Sequence, residues 1–169
     1  MRALDEAGSF GEVLESLAQH AGREAGRAVV FLVKGDRLKD WRTVGFAVAA
    51  DEGLDLELGE SGLLGKAVRA GHGVRWYRDA DDRLPDFARD DEEPRDAAAW
   101  PISVGGSVVA LLYADGPAAD TSDRPWPACL EVLARHAGRV LEGITIRQAA
   151  GLMSVRAKTV GRRSSGSIQ

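Results

Sequence analysis

The chain has 169 residues, enough for one domain of ordinary size with room for an extension. With 44% hydrophobic and 28% charged residues it has the balance of a globular protein that builds its own core. A net charge of −4 gives no overall positive field for nucleic acid or an anionic membrane, and one cysteine excludes an internal disulfide framework or a cysteine-built zinc site. No basic start followed by an apolar core is visible, and no apolar run approaches a membrane span. A lone cysteine suits a reducing compartment, so a cytoplasmic protein is expected.

In "SFGEVLESLAQHAG", Phe10, Val13, Leu14, Leu17, Ala18 and Ala21 form an apolar stripe at helical period. Ser9 with Glu12 three residues on is a capping box, and Gly22 or Gly26 can end the helix. Residues 28 to 33 are then β-branched and apolar, Gly35-Asp36 suits a two-residue turn, and 37 to 46 read as a returning edge strand. "ADEGLDLELGESG" reads as loop, "SGLLGKAVRAG" as a short helix between Ser61 and Gly71, and "GVRWY" as a strand. Residues 78 to 96 carry four arginines against nine acidic residues, with Leu84 and Phe87 as apolar anchors. This is a solvated connection with room for one helical turn. "AAAWPISVGGSVVALLYADG" follows as a hairpin about Gly105-Gly106 with Pro101 inside its first strand, a place that calls for an edge or a bulge.

After "DTSDRPWP" comes the last strong helix. Leu130, Leu133, Ala137, Val140 and Ile144 repeat at the three- and four-residue spacing of a helix-packing seam. Val132 and Leu141 lie off that seam, so one stripe is expected on the sheet and the other against a second copy. Residues 1–147 are read as the domain and 148–169 as a basic, Ser/Gly-rich, flexible tail.

Reactive chemistry is not visible in these residues. "GESGLLGKA" has Glu60 where a phosphate loop needs glycine and Ala67 where it needs the metal-binding hydroxyl. In the acidic "DADDRLPDFARD", Arg83 takes a calcium-ligand position and Leu84 replaces the turn glycine. His20, His72 and His136 are scattered, and Cys129 sits among apolar helical residues. No metal, cofactor or catalytic residue is expected.

The order of these elements resembles the GAF domain family over about residues 4 to 147, carried by the amphipathic first helix, "AVVFLVKGDRL", "LGESGLLGKAVRAGHGVRWYRDADDRLPDF", "AAAWPISVGGSVVALLYAD" and "LEVLARHAGRVLEGI". The resemblance implies an α+β fold: an antiparallel sheet of about five to six strands, terminal helices on one face, short helices and loops on the other. The family's cyclic-nucleotide signature is missing, Cys129 is in the wrong segment for a bilin, and one cysteine cannot form the internal disulfide of the sulfoxide-reducing members. The expected function is therefore a non-enzymatic sensory and dimerisation module in signal transduction. It would form a homodimer through Leu130, Leu133, Ala137, Val140 and Ile144 and act on a partner protein or fused output domain. Its expected ligand pocket is lined by Trp76, Phe87, Trp100, Ile102, Leu111 and Tyr113, apolar enough for a small, flat, mostly uncharged molecule. Whether that space holds a ligand or is filled, leaving a pure protein-interaction scaffold, stays open in the sequence. So does whether Val109, Leu111 and Tyr113 or the opposite parity share a side with Trp100.

Overall fold

Ser9 and Glu12 start the first long helix as their spacing predicts. In the computed structural model, which describes residues 2–46, 53–76, 84–88, 96–117 and 125–163, the Glu12 backbone N–H donates to the Ser9 hydroxyl at 3.3 Å. The Glu12 carboxylate in turn accepts from the N–H groups of Gly8 and Ser9. A cap of this kind stabilises a helix by about 1 kcal/mol. After a single-turn helix α1 (Arg2–Asp5) it opens α2 (Phe10–Glu24), whose Val13, Leu14, Leu17, Ala18 and Ala21 are buried along one stripe. Phe10, at the end of that stripe, is 37% exposed.

The chain then builds a sheet. Strands β1 (Ala25–Lys34) and β2 (Arg37–Val44) form the expected hairpin, and β3 (Asp55–Glu57) pairs with residues Arg37, Leu38 and Lys39 of β2. Helix α3 (Leu63–Ala70), β4 (Val74–Trp76) and a 3-10 turn (Asp86–Ala88) lead to the hairpin of β5 (Ala97–Val104) and β6 (Ser107–Pro117). Gly105 and Gly106 make that hairpin possible, at φ 58° and 81°, where a β-carbon is strained. Helix α4 (Trp126–Arg163) closes the described chain. The six strands run in the order β3-β2-β1-β6-β5-β4, every neighbouring pair antiparallel. This is the α+β architecture expected.

Alternation along the central strands gives the sheet two dry faces. Ala28 and Val30 of β1, Ala98, Trp100 and Ile102 of β5, and Ala110, Leu112 and Ala114 of β6 pack against α2 and α4. Val29 and Phe31, Ala97 and Ala99, and Leu111 and Tyr113 face the other way, under Leu63, Leu64 and Ala67 of α3. At Gly138 α4 comes so close to β5 that an added β-carbon would lie 3.1 Å from the Ser103 carbonyl oxygen.

Several local expectations are revised. The segment read as loop contains β3, which covers β2 at Arg37, Leu38 and Lys39, where an uncovered edge was expected. Ser61 does not cap α3; its hydroxyl donates to the Glu57 carbonyl at 2.5 Å, closing the turn after β3, and Gly62 stands at the N-cap. Pro101 sits opposite Leu111 of β6, but β4 pairs only with Ala97, Ala98 and Ala99. On that side Pro101 has no strand neighbour that needs its missing N–H, and a bulge follows between Ile102 and Ser103. Finally, α4 runs unbroken through the boundary expected after residue 147. Ile144 of this helix is buried, and residues 145–150 are exposed. Residues 164–169 of the expected tail lie outside the described residues.

Candidate functional site

The expected pocket residues fall on opposite sides of the sheet. Trp100 and Ile102, 3% and 0% exposed, pack beneath the long helices, with Trp100 edge-on to Trp126 at a centroid distance of 6.2 Å. Trp76, Phe87, Leu111 and Tyr113 belong to the face under α3. The β5–β6 ladder places Trp100 opposite Leu112, not Leu111 or Tyr113, so period-two alternation sends those two away from it. One pocket lined by all six residues is therefore not formed. Trp100 is core, and the four residues that remain together are on the second face.

What distinguishes the second face is a buried ion pair among aromatic rings. Arg27 and Asp115 are direct cross-strand partners in the β1–β6 ladder, so their side chains emerge on the same side as Val29, Phe31 and Tyr113. Arg27 Nε donates to Asp115 Oδ1 at 2.6 Å and Nη2 to Oδ2 at 2.8 Å, a two-pronged charge-assisted pair. The Tyr113 hydroxyl donates to Oδ2 at 2.7 Å. Arg27 Nη2 also donates to the Ala88 carbonyl at 3.2 Å, and the guanidinium carbon lies 4.6 Å from the centre of the Phe46 ring. Arg27 is 7% and Asp115 1% exposed, so both charges have left water and need these partners.

Around the pair, Phe87 meets the rings of Phe31, Phe46 and Tyr113 at 5.7, 5.6 and 5.3 Å, the last two edge-on. Leu84, Pro85 and Asp86, just before Phe87, form one wall of an open groove of about 340 Å³. Its other wall is Asp55, Leu56, Glu57, Glu60 and Ser61. Among the described residues no His, Cys, Asp or Glu group is arranged to hold a metal ion. Cys129 is half-buried on α4, away from the second face. Arg27 and Asp115 are not among the site residues expected from the sequence. The available signal was parity: Arg27-x-Val29-x-Phe31 and Leu111-x-Tyr113-x-Asp115 each set one charge in line with an apolar row.

The expected dimer seam is also used internally. Leu130, Leu133, Ala137 and Ile144 are 0%, 8%, 0% and 4% exposed within the single chain, and Val140 packs at the margin of the same core. Only one stripe of α4 can face the sheet, and this is the stripe that does. Val132 and Ile146 remain outward, at 56% and 69% exposure. No helix among the described residues is long and apolar enough to cross a membrane.

No family model and no curated protein matches this chain. Its fold does match solved structures. The GAF domain/HD domain protein from Geobacter sulfurreducens is 17% identical at TM-score 0.61, covering 82% of this chain and 95% of that one. The GAF domain of a two-component sensor histidine kinase from Bacillus halodurans is 15% identical at TM-score 0.59, covering 84% and 99%. Free methionine-R-sulfoxide reductase from Neisseria meningitidis, solved with its substrate, is 17% identical at TM-score 0.59, covering 88% and 86%. These matches show the fold alone: the six-stranded antiparallel sheet of this chain, with its long helices on one face and α3 on the other, is a GAF-like fold.

Proposed function

We propose that this chain is a non-enzymatic signalling module that senses on the face carrying Arg27 and Asp115 and reports through α4 as a homodimer. The observation that carries the reading is α4 itself. It is built into the core as far as Ile144 and then continues as one helix to Arg163, so a change in the sheet is transmitted along a rigid element. Along the continuation, Ile146, Ala150, Met153, Ala157 and Val160 recur at alternating four- and three-residue spacing, the pattern of a coiled-coil seam. This stripe, with Val132, replaces the buried seam as the proposed contact between copies. The sensor-kinase name of a fold neighbour supports a signalling role. The sulfoxide reductase neighbour raises the enzymatic alternative, but Cys129 is the chain's only cysteine and has no internal partner for a disulfide. A cytoplasmic location and a partner protein or fused output domain complete the proposal, with no nucleic acid, membrane or cofactor in it.

Light scattering tests the assembly. The full chain is expected to be a dimer at micromolar concentration, and Ile146→Glu with Met153→Glu to give a folded monomer. A monomeric wild-type chain overturns the reading. A second reading, a ligand-free interaction scaffold, is favoured by one observation: Phe87 of the chain itself fills the aromatic cluster.

A further inference from the structure

Phe87 does not come from the sheet. It is carried by the three-residue 3-10 turn, is half-buried, and places its ring between Phe31, Phe46 and Tyr113. One residue on, the Ala88 carbonyl accepts from Arg27 Nη2. An aromatic ring and a neutral acceptor thus enter the face together, the ring against aromatic walls and the oxygen on a guanidinium. The charge of that guanidinium is already balanced by Asp115 through two bonds. A carboxylate in place of the Ala88 carbonyl would lie beside Asp115 and be repelled, whereas an amide or ketone oxygen would not.

From this geometry we infer that Phe87 and Ala88 are a built-in occupant of a small-molecule site, and that the ligand displacing them is an uncharged aromatic compound with a carbonyl or amide acceptor. The inference rests on reading the second face as the sensing face. Arg27 lies two residues into β1, which follows α2 directly, so exchange of the Ala88 oxygen for a ligand oxygen acts on the strand that joins both helical and sheet layers. In the intact chain the site is open only in the fraction of molecules whose turn has withdrawn, and apparent affinity falls by that fraction.

The probe is N-acetyl-phenylalanyl-alanine amide, which reproduces ring and acceptor in one uncharged molecule. By calorimetry Phe87→Ala is expected to bind it at least about tenfold more tightly than the wild-type chain. Toluene, lacking the acceptor, and N-acetyl-alanyl-alanine amide, lacking the ring, are expected to bind the variant more weakly than the full probe. Phe87→Leu, which keeps the space partly filled and the core intact, is expected to fall between. Equal affinity of variant and wild type, or toluene binding as tightly as the probe, overturns the inference. Should both variants fail to fold, the wild-type chain at millimolar probe must show NMR shifts at Arg27 Nε–H and the Tyr113 ring; unchanged signals overturn it. Light scattering on the same samples separates the two proposals. A dimer that binds no probe overturns the occupant alone, and a monomer that binds it supports the occupant while overturning signalling through the dimer.

Discussion

Arg27 and Asp115 show how a single polar pair sets the character of a face. With one partner removed the other is a buried, uncompensated charge, and Asp115→Asn is expected to cost about 3–5 kcal/mol. Replacing both, as in Arg27→Met with Asp115→Leu, is expected to cost much less, because no charge is left to desolvate. Urea denaturation of the two variants checks the difference; equal losses would mean that the pair's geometry matters more than its charge. Trp100 gives the opposite case. At 3% exposure and edge-on to Trp126 it is packed into the core under the long helices, so Trp100→Ala is expected to destabilise by about 3–5 kcal/mol. A loss well under this in the same measurement would return Trp100 to the wall of an open space.

Helix α3 and strand β3 are short, and each depends on a contact that propensity does not describe. Gly65 lies inside α3, where alanine is worth about 1 kcal/mol in a free helix. Here a β-carbon would overlap the carbonyl of Leu58, a backbone atom that cannot swing aside. Gly65→Ala is therefore expected to lower the denaturation midpoint; a rise would show that α3 can lift from the β3 turn at no cost. Strand β3 is held at its edge by Arg37, whose Nε lies 2.6 Å from Asp55 Oδ1. That hydrogen bond, with the attraction of Arg37 and Lys39, keeps the Asp55 carboxyl below its ordinary value against a smaller opposing effect of desolvation. Because the folded value is the lower one, the contribution is present above the unfolded carboxylate's pKa and lost as pH falls through the folded value. Both side chains are exposed, so the effect is small and weakened by salt. In an NMR titration Arg37→Gln is expected to move the Asp55 midpoint upward; an unmoved midpoint would remove Arg37 as the cause.

Up to residue 150 the buried side chains of α4 all precede residue 145, while the apolar repeat of Ile146, Ala150, Met153, Ala157 and Val160 in the sequence follows it. Ending the chain at residue 147 is expected to give a monomer whose melting temperature no longer rises with protein concentration, the full chain's doing so. A shortened chain that stays dimeric would place the contact on α2 or the sheet edge. Much of this architecture is legible without coordinates because it is local. The Ser9–Glu12 cap, the Gly105-Gly106 turn, the left-handed Gly71 at the end of α3 and the stripes of α2 and α4 depend on residues a few positions apart. Strand β3 escaped because three residues in an acidic, glycine-rich stretch carry too short a pattern to stand out. The site was only half visible. Period two assigns Trp100 and Leu111 to sides of their own strands, but only the register between the strands shows that those sides are opposite. In the same way periodicity shows that α4 buries one stripe without naming what covers it. The sheet took the stripe ending at Ile144, and the 3-10 turn brought Phe87 onto the far face. Both depend on long-range packing, where the surface that buries most is chosen among all those the chain can reach.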